Sequence, residues 1–297
     1  MIVNCLLKNV YLSFGYMSEE IEKKSALRVI VHSFFIVPFL IAVFGVLIFF
    51  MWRLLTYEPR GAEDYIADVR IGSATKRWQS AFELSKILAS PDWAPQGDRF
   101  AAEMLSAYEY ALRDPDTRVR QYLIRAMGNS GMAEFSATIQ SALEEPREAV
   151  VADAVYALGL IAGEQNLAPI IEMTQHQSSL VRNRCAIALG NLGLQDCTPP
   201  LQKLLYDVEP NVRWNAAVSL AKLGSHSGRD VLLSLLQRGY LEKFDDVDPY
   251  EQTEAMLTAI GAASLLEDSS LNAAILKLSR EDINMKVRDA AMKALNL

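Results

Sequence analysis

Apolar and polar positions along this chain follow two different rhythms. From Val29 to Met51 the residues VIVHSFFIVPFLIAVFGVLIFFM are apolar and uncharged throughout, which predicts one helix surrounded on all sides by apolar material. From about residue 62 onward, apolar residues instead recur three and four apart, the period of helices with a single buried face. This second rhythm is itself repeated. Segments aligned on a Val-Arg pair read VRQYLIRAMGNSG from Val119, VVADAVYALGLIAG from Val150, VRNRCAIALGNLG from Val181, VRWNAAVSLAKLG from Val212 and VRDAAMKALNL from Val287. The first four begin 31 residues apart. A fixed step in the range of roughly 20 to 50 residues is the signature of a solenoid.

With the Arg numbered zero, apolar or small residues fall at −1, +3, +6 and +7; in one copy these are Val181, Cys185, Ala188 and Leu189. They share one helix face, and its small residues let a second helix approach closely. The partner helix is the apolar run before it, such as Leu167–Met173 or Pro200–Leu205. Gly128, Gly159 and Gly190, with Gly131, Gly193 and Gly224 just beyond them, are expected to end the helices, since Gly accepts the left-handed conformation of a C-cap. One such pair cannot bury its apolar face alone, so neighbours must stack.

An acidic or Pro-bearing turn, then Val-Arg, then an Ala-rich helix closing on Leu-Gly resembles the HEAT repeat, in the short form of phycobilisome-lyase-type proteins. Weaker copies lie at Lys76–Leu84, at Gln252–Gly261, which lacks the Arg, and at Val287. The resemblance implies an all-α fold, a right-handed solenoid of about six to seven HEAT-like helical hairpins, and the apolar run puts a single transmembrane helix before it. The expected layout is a membrane-proximal segment at 1–28, the span at 29–52, a linker at 53–61 and the repeats at 62–297. Two insertions break the period. Ser90–Asp98 lies in a step of 43 between Arg77 and Arg120, and Leu241–Tyr250 in a step of 40 between Ala221 and Gly261.

The span is long enough for a hydrocarbon core of roughly 30 Å, and it ends in Trp52-Arg53 without the small residues of a signal-peptidase site. Trp52 and Tyr57 suit the membrane interface, Pro38 predicts a kink, and His32 lies one turn inside. Lys8, Lys23, Lys24 and Arg28 before the span, against Arg53, Arg60 and Arg70 after it, favour a cytoplasmic N-terminus. The repeats would then lie on the non-cytoplasmic side, at the inner membrane in a bacterial source. The apolar Val10–Met17 stretch suits a segment on the membrane surface or against another subunit.

Net charge is −7, and the repeats alone are more acidic, which argues against a nucleic-acid grip such as that of HEAT-like DNA glycosylases. Cys5, Cys185 and Cys197 show no disulfide or zinc spacing, and Cys185 falls on the core stripe. None of His32, His176 and His226 adjoins a Glu, so the His-Glu metal ligands of HEAT-repeat hydroxylases are absent. With no phosphate loop and no nucleophile elbow either, the expectation is no enzyme, no cofactor and no metal. Asp245, Asp246, Asp248 and Glu251 could hold a calcium ion but lack a calcium loop's spacing; a solvated loop is the alternative. Arg77, Arg120, Arg182, Arg213 and Arg288 are expected to form an internal ladder to carbonyls or acids of the next unit.

The most informative positions lie opposite the core stripe, at +1 and +5. They hold Trp78 and Phe82, Gln121 and Arg125, Ala152 and Tyr156, Asn183 and Ile187, then Trp214 and Val218. As a concave lining these would bind a protein partner, a helix or extended peptide from another subunit of a membrane complex. Alternatively they pack between adjacent second helices. The functional expectation is a membrane-anchored scaffold or adaptor. The alternative, implied by the family resemblance, is a phycobilin-lyase-like or ligand-carrying chaperone holding a hydrophobic small molecule.

Overall fold

The computed structural model describes residues 32–55, 60–90 and 97–296. The N-terminal segment 1–28, the start of the span, linker residues 56–59 including Tyr57, and most of the Ser90–Asp98 insertion lie outside the described residues. The chain divides into two units, Met1–Arg60 and Gly61–Leu297.

In the first unit a π-helical turn, His32–Ile36, leads into α1, Val37–Leu55. The widened turn stands just before Pro38, whose ring removes an N–H from the ladder. Phe34–Leu55 has a mean hydropathy of 2.9, with none of the residues in its most apolar window buried. It is long and apolar enough to cross a membrane. The helix runs three residues past Trp52, the boundary expected from composition.

The second unit is a stack of helical hairpins. The first pairs are α2 (Ala62–Ile71) with α3 (Ala74–Leu88), and α4 (Asp98–Ala111) with α5 (Thr117–Ser130). Three regular hairpins follow: α6 (Ser136–Ser141) with α7 (Glu148–Leu160), α8 (Leu167–Met173) with α9 (Ser179–Leu192), and α10 (Thr198–Leu204) with α11 (Pro210–Lys222). Each of these first helices is entered through a short 3₁₀ turn. The stack ends with α12 (Arg229–Leu235), α13 (Arg238–Leu241) and α14 (Pro249–Ala263), then α15 (Ser269–Glu281) with α16 (Met285–Ala294). Among the described residues seven hairpins result, and successive second helices, α3, α5, α7, α9, α11, α14 and α16, touch in that order.

The core stripe lies where the period put it. Val119, Leu123, Ala126 and Met127 are fully buried, as are Val150, Ala154, Ala157 and Leu158, and Val181, Cys185, Ala188 and Leu189. Burial raises the Cys185 thiol well above its ordinary pKa, which disfavours the thiolate.

The glycines split into two roles, a correction to the expectation that all end helices. Gly131, Gly193 and Gly224 do, with φ of +66°, +70° and +73°. Gly128, Gly159 and Gly190 remain within helical segments and set the spacing to the next second helix. A Cβ on them would stand 2.6, 2.5 and 2.3 Å from Ala157, Ala188 and Ser219.

The arginine ladder is also present. Arg182 donates through one terminal nitrogen to the carbonyls of His176 and Gln177, capping its own hairpin's turn, while Nε and the other terminal nitrogen grip Asp207 at 2.7 and 2.9 Å. Arg77 repeats this with Gly72 O and Asp114. Arg120 does so with three carbonyls at the end of α4 and with Glu145 at 3.2 Å, an ion pair outside hydrogen-bond alignment. Arg213 and Arg288 make the carbonyl half of the pattern. Where the zero position is Val151, the turn it would reach carries His176 in place of an acid. Its Nδ1 accepts from Ser178 N, as Asp114, Asp207 and Asp282 accept from the residue two ahead.

Candidate functional site

The accessible face of the second helices is a run of cross-helix pairs. Arg118 stacks over Trp78 at 4.3 Å, and Tyr122 meets Phe82 edge-on at 5.1 Å. Gln121 and Arg125 both donate to Asp153, at 3.2 and 2.9 Å. Arg184 lies over Tyr156 at 5.4 Å, and Asn215 donates to Asn183 at 2.8 Å. Thus six of the +1 and +5 residues, Trp78, Phe82, Gln121, Arg125, Tyr156 and Asn183, are each met by the −2 or +2 residue of the next second helix. Asp153 shows what this costs: burial pushes its carboxyl upward, and Arg125 only partly offsets it.

Of the residues expected to line the face, Trp78, Gln121, Arg125, Tyr156, Asn183, Ile187 and Val218 are half-buried, and Phe82 is exposed. Trp214 differs, being only 7% exposed. α13 and the insertion fold back over it: Tyr240 and Phe244 pack edge-on against its indole at 6.3 and 5.2 Å, and its Nε1 donates to Tyr240 Oη at 3.3 Å. The +2 residues Tyr122, Asp153, Arg184 and Asn215 were missed by the sequence argument. A finer helical count would have found them, since −2, +2, +5 and +9 lie along one line.

Between α11 and α14 the run of pairs stops. The +2 residue of α14 is Ala255, whose methyl group can make neither a hydrogen bond nor a ring contact with the +1 and +5 residues of α11, Trp214 and Val218. A cavity of about 420 Å³ opens there, floored by Trp214, Val218 and Leu235 and edged by Asp246, Glu251 and Glu254.

Chemistry elsewhere is occupied by structure. Asp248 and Glu251 form a reciprocal capping box at the start of α14, so two of the four acids considered for calcium serve the helix. His226 is half-exposed, 3.8 Å from Asp268, which caps α15. Among the described residues, no three His, Cys, Asp or Glu converge on a point that could hold a metal ion.

A family model described as HEAT repeats matches residues 105–182 and 167–242. The chain is similar to the complex of CpcE and CpcF of phycocyanin lyase from Nostoc sp. PCC7120, at 18% identity over 81% of this chain and 94% of that one, with a TM-score of 0.52. A designed armadillo repeat protein bound to a (KR)4 peptide aligns over 80% of this chain and 99% of its own, at 17% identity and TM-score 0.39. Among curated sequences, deoxyhypusine hydroxylase of Candida albicans is 29% identical over 92 residues. That match spans 30% of this chain and 29% of the hydroxylase. The fold is a solenoid of HEAT-like hairpins.

Proposed function

We propose that this chain is a membrane-anchored, non-enzymatic scaffold that holds a segment of a partner protein along the second-helix face. The observation that carries the reading is the face itself. From α3 to α11 it carries side-chain pairs that run across helices, and it then opens into a cavity at α11 and α14. A surface that is prearranged over five helices and open at one point suits an elongated ligand, because little ordering is needed on binding. The exposed apolar α1 supports the anchor, and tethering raises the effective concentration of a partner held in the same membrane. The basic residues Lys23, Lys24 and Arg28 before the span support a cytoplasmic N-terminus, with the repeats on the other side.

Photocrosslinking in native membranes tests this, with the probe at Phe82, Ile187 or Val218 and controls at Gln202 and Glu172 on first helices. Discrete polypeptide adducts are expected only from the second-helix positions; their absence there, or equal adducts from both faces, would refute the scaffold. Labelling of a single introduced cysteine at Gln202 by an impermeant reagent should occur from the non-cytoplasmic side. A second reading, a carrier of a hydrophobic small molecule, draws on the cavity volume, which falls within the roughly 300–1,000 Å³ of small-molecule sites. Visible absorbance of the purified protein would favour it.

A further inference from the structure

The open point on the second-helix face has a charge of its own, and that charge names a partner chemistry. We infer that the cavity between α11 and α14 takes one arginine or lysine side chain from an extended peptide, its alkyl stem on the apolar floor and its charge between Asp246 and Glu254. This rests on the scaffold reading and specifies what the scaffold holds.

Four observations converge. The cavity-lining residues include three carboxylates and no Lys or Arg. Elsewhere on the same face the arginines are engaged: Arg118 with Asp116 and Trp78, Arg125 with Asp153, Arg184 with Tyr156. Glu251 is held by the backbone N–H of Asp248 at 3.1 Å, but Asp246 and Glu254 have no side-chain partner among the described residues. Two unpaired acids at the mouth of an apolar cavity therefore leave it with uncompensated negative charge. The floor of Trp214, Val218 and Leu235 offers no oxygen ligand to a directly bound metal ion, which needs them on several sides. It suits a long side chain that is apolar along its stem and charged at its tip, with Tyr250 at the rim, 67% exposed, available to a guanidinium face.

One position on α14 marks the vacancy. The +2 residue is Tyr122, Asp153, Arg184 or Asn215 in the preceding second helices, each reaching its neighbour, whereas in α14 it is Ala255, half-buried and facing the cavity. The peptide's basic residue would fill the place that a side chain of the chain itself fills elsewhere.

The test uses the full chain in detergent micelles and the fluorescein-labelled peptide Leu-Ala-Arg-Ala-Leu, read by anisotropy, with citrulline or Glu replacing the Arg in control peptides. The Arg peptide is expected to bind, to weaken with added salt, and to lose roughly tenfold in affinity in the D246N/E254Q variant, whose two sites are solvent-exposed. The citrulline and Glu peptides should bind at least tenfold more weakly. Ala255→Tyr should abolish binding while leaving the melting temperature within a few degrees. Equal binding of the citrulline peptide, no binding of the Arg peptide, or full affinity in D246N/E254Q would overturn the proposal. So would salt-insensitive binding of a neutral hydrophobic dye that the Arg peptide does not displace. If crosslinks at Phe82 and Ile187 persist while the peptide fails, the pocket assignment falls and the scaffold stands; if both vanish, the scaffold falls as well.

Discussion

The stack from α5 to α11 and the stretch from α11 to α16 are built from the same repeat, yet they pack differently. In the first, the +8 glycine of each second helix meets a small +6 residue of the next, with no room for a methyl group between them. In the second, Gly261 holds the same +8 position and a Cβ there would meet nothing within 4 Å. The arginine rungs diverge too. Arg120 and Arg182 each reach an acid of the following hairpin, whereas Arg213 makes only its carbonyl bonds. In the sixth hairpin the zero position is Thr253, and the rung to Asp282 comes from Arg238 in α13, at 2.8 Å. The buried side chains accordingly form two clusters that divide across α11. A constant 31-residue step gives helices that interlock; nine extra residues leave a seam.

Breaking one rung should give the largest effect. Arg182→Ala strands Asp207, whose side chain is only 8% exposed, and should cost about 3 kcal/mol in urea denaturation. Arg213→Ala, which loses two carbonyl bonds, should cost about 1 kcal/mol. Equal losses would contradict the contrast drawn between the two regions.

Next in size is a pair with opposite signs. Gly159→Ala should destabilise by about 1–3 kcal/mol, because its Cβ would strike the backbone of Ala188. Gly261→Ala should stabilise by up to about 1 kcal/mol, since only the helix-propensity term acts there. Paired melting curves read both.

Acid should act unevenly. Asp207 is held below the ordinary carboxylate range by Arg182, against the pull of burial. At Asp114 burial pushes upward and the Arg77 hydrogen bond overcomes it. A carboxyl with its folded pKa depressed stabilises fully above the unfolded value of about 3.9 and loses that contribution as pH falls through the folded pKa. Hydrogen exchange below about pH 4 should therefore loosen the turns at Asp114 and Asp207. Toward the C-terminus the depressed carboxyl is Asp268, held by the N–H of Leu271 and Ser270, so acid should fray the first turn of α15 instead. Unchanged protection at all three would count against these assignments.

The smallest effect is expected at Asp153→Asn, within about 0.5 kcal/mol by chemical denaturation. Burial already disfavours the charge, and an amide oxygen can still accept from Gln121. A loss of several kcal/mol would make the Arg125 pair a strong one.

The helices, their register and the core stripe were legible in the sequence because each depends on residues a few positions apart on one helix. Val181, Cys185, Ala188 and Leu189 announce a buried face whatever lies opposite. The arginine ladder was legible as a recurrence, although its partners were not. The roles of Gly128, Gly159 and Gly190 were not legible, because a glycine that ends a helix and one that admits a neighbouring helix look alike until the residue 29 positions on is placed against it. The covering of Trp214 by Tyr240 and Phe244, and the cavity left by Ala255, likewise belonged to the tertiary structure. Local periodicity fixes which face of a helix is apolar, but the distance between two helices is set by pairs of side chains far apart in the chain. Only the folded stack brings those pairs together.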